Sequence, residues 1–168
     1  MTTTRRKIAA ALAAAVTALS LPRAAEGAGE AWRLYVNARF GARVRYPQRF
    51  VMQPPPANDD GRTFLAADGA RLLVFGRYNV QGDTLESLQQ ALSGPDYAVR
   101  TYQAGGARWF VVSGFRDVDG VKSIYYEKTI LSRDGATIRQ MALTYPERAR
   151  AAYDGLVAQI AASFGPAD

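Results

Sequence analysis

A chain of 168 residues with 21 Lys and Arg, 15 Asp and Glu, no cysteine and no histidine is cut off from several chemistries before any element is placed. Thiolate redox chemistry, Cys-His and Ser-His nucleophilic catalysis, haem ligation by histidine and ordinary zinc sites each need one of the two missing residue types. Disulfides are excluded as well, so the fold has to rest on its core.

Arg5, Arg6 and Lys7 precede the apolar run Ile8 to Leu21, and the small residues Ala24, Ala25, Gly27 and Ala28 follow it. A basic start, an apolar middle and a small-residue exit predict an export signal over 1–27, leaving 28–168 as the mature chain. The run is shorter than the roughly 20 apolar residues of a spanning helix, and it lacks the polar face of an amphipathic surface helix. Arg5-Arg6, with Arg23 before the exit, suits twin-arginine export as well as the general secretory route. No cysteine stands near the exit to carry a lipid, and no later segment is long and apolar enough to span a bilayer. A periplasmic or secreted protein is expected. Setting aside Arg5, Arg6, Lys7 and Arg23 on one side and Glu26 on the other leaves 17 basic against 14 acidic residues, a net of +3. These charges are interleaved, without the basic stripe of a nucleic-acid binder.

About 140 residues make one domain able to bury its own core. Trp32 to Val36 and Ala42 to Tyr46 read as two strands, the second supported by the alternation Phe40, Ala42, Val44, Tyr46 and ended by Pro47, which has no N–H to donate. Arg62 to Ala66 and Arg71 to Tyr78 form the next pair, turning through Asp68-Gly69, a strong hairpin signal. Asp83 to Gly94 is a helix: Asp83 caps it, Glu86 completes a capping box, and Leu85, Leu88 and Leu92 share a face. Gly94-Pro95 stops it. Four strands follow near 98–103, 108–115, 121–132 and 136–144, separated by Gly105-Gly106, Asp119-Gly120 and Asp134-Gly135, the spacing of an antiparallel meander. "WFVVSGF" and "SIYYEKTIL" are apolar on both faces, so layers must cover the sheet on each side. Pro146 opens a last helix carrying Ala149, Tyr153, Leu156, Ile160 and Phe164 at helical spacing, ended by Gly165-Pro166. Gly155 within it suggests a kink or a close approach to the sheet. The fold class is α+β, a predominantly antiparallel sheet built from hairpins, with a short middle helix and a C-terminal helix.

The run Arg39-Phe40-Gly41 through Tyr46-Pro47-Gln48-Arg49-Phe50, the two-faced strands and the closing Ile160-Ala161-Ala162-Ser163-Phe164 resemble the PsbP-like superfamily, exported α-β-α sandwich domains of bacteria and chloroplasts. The resemblance extends over nearly the whole mature chain and is architectural, with only the entry and exit motifs as local matches. It implies a binding or assembly factor rather than an enzyme, and assigns no functional residue.

The acidic run "PPPANDDGRTFLAADG", residues 54–69, is the first candidate site. A calcium loop of the EF-hand type needs oxygen ligands at positions 1, 3, 5 and 12 around a glycine at 6. With Gly61 at position 6, Pro56 falls at 1 and Ala67 at 12, so the motif fails. A looser metal site at Asp59 and Asp60 stays open beside the turn reading, as does one at Asp117 and Asp119, where Asp119-Gly120 also suits a hairpin turn. No cofactor is called for. Ser123 and Lys122 are adjacent on a strand and point to opposite faces, which argues against a Ser-Lys pair; Ser113 with Lys122 or Lys128 is conceivable across strands. Glu127, mid-strand, is read as a cross-strand ion-pair partner rather than a buried acid. The best functional lead is aromatic: Trp32, Tyr35, Tyr78, Tyr97, Tyr102, Tyr125 and Tyr126 exceed what the helix faces require. Most are expected to pack in the core or on a sheet face, and a minority exposed beside Arg77, Arg100 or Arg116 would make a docking surface of the residue types that dominate interaction hot spots. Three functions follow in order: a non-catalytic exported domain binding a protein partner or envelope component, a small-ligand or divalent-metal module using the 54–69 loop, and a hydrolase lacking His and Cys.

Overall fold

Tight turns set the frame of the computed structural model, which describes residues 30–97 and 99–167; the expected export signal lies outside the described residues. At Asp119 and Gly120 the backbone takes φ of 52° and 78°, and Gly69 and Gly135 also have positive φ, at 93° and 72°. Left-handed backbone at these points matches the twist of the flanking strands, so each Asp-Gly pair folds the chain back on itself.

Strands β1 (Trp32–Asn37) and β2 (Ala42–Pro47) form the first hairpin. Buried Asn37 closes it by accepting the Phe40 N–H at 2.8 Å. A two-residue strand, β10 (Gly165–Pro166), adds to the free side of β2 and completes a three-stranded sheet. The larger sheet contains β3 (Val51–Met52), β4 (Gly61–Leu65), β5 (Arg71–Tyr78), β6 (Val99–Gly106), β7 (Trp109–Val118), β8 (Val121–Leu131) and β9 (Thr137–Pro146). Its order is β3-β4-β5-β9-β8-β7-β6, with every pairing antiparallel.

One face of this sheet packs against helix α2 (Arg150–Ser163) and the small sheet. Leu72, Val74, Met141 and Leu143 from the large sheet, Val44 and Tyr46 from the small one, and Tyr153 and Ile160 from α2 are fully or nearly fully buried there. Lys128 reaches across from β8 and donates to the Ala161 and Phe164 carbonyls at 2.7 and 3.2 Å, satisfying acceptors left open at the end of α2. Burial lowers the pKa of its ammonium. The opposite face carries helix α1 (Leu85–Ala91), whose Leu88 is buried with Phe110, Val112, Tyr125 and Ile138. Seven helical residues span only about 10 Å, while seven strands span roughly 29 Å. Part of that face is therefore left without a covering element.

Several local expectations need correction. Thr84, not Asp83, caps α1, in a reciprocal box with Ser87 rather than Glu86, because the Asp83 carboxylate is held by Arg77 at 2.9 Å. Gly105 and Gly106 are strand residues paired with Phe110 and Trp109, and the chain turns one step later at Ala107-Arg108. Pro146 ends β9, and a single 3-10 turn separates it from α2. A Cβ at Gly155 would meet nothing within 4 Å, so this glycine makes no close approach to the sheet. Strands β3 and β10 were too short to carry a periodicity signal.

Candidate functional site

The uncovered part of the large sheet forms a trough. On β5, Arg71, Leu73 and Phe75 share one face, opposite Thr144, Ala142 and Gln140 of β9. Leu73 and Phe75 form the floor of two adjoining concavities of about 410 and 310 Å³. The first is walled by Pro54, Pro55 and Pro56. Prolines suit this position, since β3 is the sheet edge and its continuation has no partner to which an N–H would donate. The second concavity ends at Arg116, Glu127 and Tyr97, with Leu92 at its side.

This polar end is a network centred on Arg116 and Glu127. The Arg116 guanidinium lies 3.3 Å from Glu127 Oε1, donates to Thr144 Oγ1, and sits over the rings of Tyr125 and Tyr97 at 5.3 and 5.8 Å. The Tyr97 hydroxyl donates to the same Glu127 oxygen at 3.0 Å. Arg116 and Glu127 side chains are only 19 and 11 % exposed, so water screens the pair weakly. Burial pushes the Glu127 carboxyl upward, against the pull of Arg116 and the Tyr97 hydrogen bond. Burial and the Glu127 charge push the Tyr97 phenol up to about 12. Arg116 Nε and the Tyr125 hydroxyl are buried without a hydrogen-bond partner among the described residues. Nearby, Arg100 donates to the Leu92 carbonyl at 2.7 Å and to Gln103 at 2.9 Å.

Of the residues singled out in the sequence, Tyr97 and Arg116 meet in this network and Arg100 lies close by. The others are placed elsewhere. Tyr35 is buried in the core with its ring against Phe64. Trp32 packs against the same core and faces Arg45, Gln159 and Ser163. Tyr78 is exposed beside Phe40 and Arg39, Arg77 pairs with Asp83, and Tyr102 is exposed on the edge strand β6. They do not form one continuous aromatic-arginine patch.

The acids are engaged locally. Asp59, at φ 48°, pairs with Arg62 at 2.5 Å, and Asp60 accepts from Asn58 at 2.8 Å. Asp117 accepts the Gly120 N–H at 2.7 Å, and Asp119 is the first left-handed residue of that turn. Asp68 does more than turn the chain: it accepts the Ala70 N–H and the hydroxyl of buried Tyr153, the latter at 2.9 Å. Among the described residues no three acids converge on one point. Ser113 donates to the Tyr125 carbonyl, Lys122 pairs with Glu147, and Lys128 is held by the α2 carbonyls, so the cross-strand Ser-Lys pairings are not formed.

Sequence reasoning missed the trough floor and half of Glu127. The acid is paired, as expected, but it is also buried. Its signal was available: an acid at an inward position of a strand apolar on both faces has to find a buried cation. Leu73 and Phe75 gave no such signal, because the unbroken run "LLVF" does not tell which face stays bare.

No protein-family model matches the chain, and no curated protein matches it. Solved structures do. The solution structure of cyanobacterial PsbP (CyanoP) from Synechocystis sp. PCC 6803 aligns with a TM-score of 0.61 at 14% identity, over 86% of this chain and 98% of that one. The Ran-binding protein Mog1p of Saccharomyces cerevisiae aligns at 0.56 and 11% identity, over 83% and 97%. LpqN, involved in cell envelope biogenesis of Mycobacterium tuberculosis, aligns at 0.54 and 12% identity, over 84% and 88%. The chain has the PsbP/Mog1-like α+β sandwich fold, as the sequence resemblance implied.

Proposed function

We propose that the protein is an exported, non-catalytic binding domain that holds a protein partner or another envelope component against the open part of its large sheet. The observation that carries this reading is the trough, with its apolar floor of Leu73 and Phe75, proline wall and charged end. Apolar concavities with a few placed polar groups are the usual form of binding sites. The threonine hydroxyls along it, Thr63 and Thr144, accept hydrogen bonds from Arg71 and Arg116. Export rests on the basic-apolar-small pattern of residues 1–27. Among the described residues no helix is long and apolar enough to cross a membrane.

A second reading, a small-ligand module, is favoured by the Pro54–Pro56 wall, which places part of the 54–69 loop on the trough itself. Chemical cross-linking in the native envelope, affinity capture of the tagged chain and mass spectrometry separate the two. The first reading predicts one reproducible partner, lost in Arg71→Glu and Phe75→Ser variants that keep the wild-type melting temperature. Capture unchanged by both variants would remove the trough from the partner interface. No captured partner, together with thermal stabilisation by a small-molecule extract of the envelope, would select the second reading.

A further inference from the structure

The two edges of the large sheet are treated differently. At one end β3 has two residues and runs directly into Gln53 and Pro54-Pro55-Pro56, which prevents another strand from adding there. At the other end β6 extends for eight residues, Val99–Gly106, with no proline and a single charged residue, Arg100. Its only irregularity is a bulge between Arg100 and Tyr102. The two-residue turn Ala107-Arg108 makes Gly106 and Trp109 the closing pair of the β6–β7 hairpin, so Gln103 and Gly105 direct their backbone N–H and C=O groups away from β7. Long, open edges of this kind invite pairing with another strand.

From this edge we infer that a second copy of the chain pairs antiparallel with β6, about a two-fold axis through Gln103, to join the two large sheets. The choice of partner comes from the strand's own asymmetry. Its first half, Arg100-Thr101-Tyr102, is large, and its second half, Ala104-Gly105-Gly106, is small. A two-fold axis through Gln103 sets Tyr102 opposite Ala104 of the second copy, and Thr101 and Arg100 opposite its Gly105 and Gly106. On either side of the axis larger residues meet small ones, and the interaction is isologous, as a closed dimer requires. The exposed apolar groups agree with this pairing. Tyr102 is 53 % exposed, and the Trp109 indole, 38 % exposed, leans over Gly106 so closely that a Cβ there would lie 2.6 Å from its Nε1. Tyr102, Ala104 and Gly106 oppose Ser113, Val111 and Trp109, so Tyr102 and Trp109 lie on one face of the sheet. Pairing carries each Tyr102 toward the indole of the other copy. Arg100 is tied back to the Leu92 carbonyl and to Gln103 Oε1, so its charge stands beside the axis residue of its own copy.

The test is sedimentation of the purified exported protein over a range of concentrations, with substitutions at exposed Gln103, which meets its own copy on the axis. Wild type is expected to dimerise. Gln103→Lys places two like charges on the axis, each beside the Arg100 that Gln103 holds in wild type, and is expected to raise the dissociation constant at least about fivefold; Gln103→Glu, which can pair with Arg100 of its own copy, is expected to weaken the dimer less. An equimolar mixture of the two variants is expected to regain dimer as the Lys–Glu heterodimer. A wild-type protein that stays monomeric at every concentration overturns the inference and leaves the edge to a foreign strand or to water. A dimer unaffected by either charge also overturns it, because its interface then lies elsewhere.

Discussion

Replacing Arg116 with methionine keeps an unbranched stem beside Tyr97 and Tyr125 but removes the cation from Glu127. At 3.3 Å the pair attracts by about 5 kcal/mol at an effective dielectric of about 20, a gross value reduced by the desolvation both groups suffer. Breaking a mostly buried pair leaves an uncompensated charge and costs about 3 kcal/mol net, or roughly 10 °C in melting temperature for a domain of this size. The pH dependence has a definite sign. Without Arg116, burial acts on Glu127 with only the Tyr97 hydrogen bond against it, so its folded-state pKa rises further above the unfolded value. A carboxyl raised on folding contributes stability below its unfolded pKa and loses it as pH climbs through the folded one. Urea unfolding followed by tryptophan fluorescence at pH 5 and pH 8 should therefore show the larger deficit at pH 8. Adding Glu127→Gln to the variant should recover most of the loss. A deficit below about 1 kcal/mol at pH 8, or one that grows on acidification, would refute the picture of a buried, charged pair.

Four further outcomes are expected. In Gly114→Ala the new Cβ would lie 1.8 Å from the Val99 carbonyl oxygen and 2.9 Å from the Tyr125 hydroxyl, forcing β6 from β7; calorimetry should show a loss of about 2–4 kcal/mol. Tyr153→Phe deletes the bond to Asp68 and should cost about 1 kcal/mol in denaturant unfolding. Thr84→Ala removes the α1 cap and should cost about 1 kcal/mol, with amide exchange accelerated first in that helix. Tyr97, held up to about 12, should ionise late in an ultraviolet titration and do so earlier in Glu127→Gln; its contribution to stability is complete below the unfolded phenol pKa and falls as pH rises toward 12.

The hairpins were legible because their punctuation is chemical. Asp68-Gly69, Asp119-Gly120 and Asp134-Gly135 contain glycines that take left-handed backbone in the structure, and the strands between them follow from that spacing. The demand for cover on both faces of "WFVVSGF" was also sound, since Phe110, Val111 and Val112 are all buried. Gly105-Gly106 misled because paired glycines serve a turn and a strand equally well: here the missing side chain of Gly106 makes room for the Trp109 indole. The site was less legible for a physical reason. A trough is defined by where cover stops, and α1 stops covering the sheet because it is short, which no residue of β5 or β9 records. Aromatic and arginine content pointed to Tyr97 and Arg116, which meet beside Glu127 in the structure, but could not separate them from Tyr35, whose environment is set by strand register.

The open trough is proposed to be a contact surface in the envelope. A photo-cross-linking residue placed at Arg71, exposed on the trough rim, and another at Asp154, exposed on α2, test it directly in living cells. One reproducible adduct is expected from position 71 and none from position 154. Adducts of equal yield from both positions, or none from position 71 while a partner is still captured chemically, would contradict it.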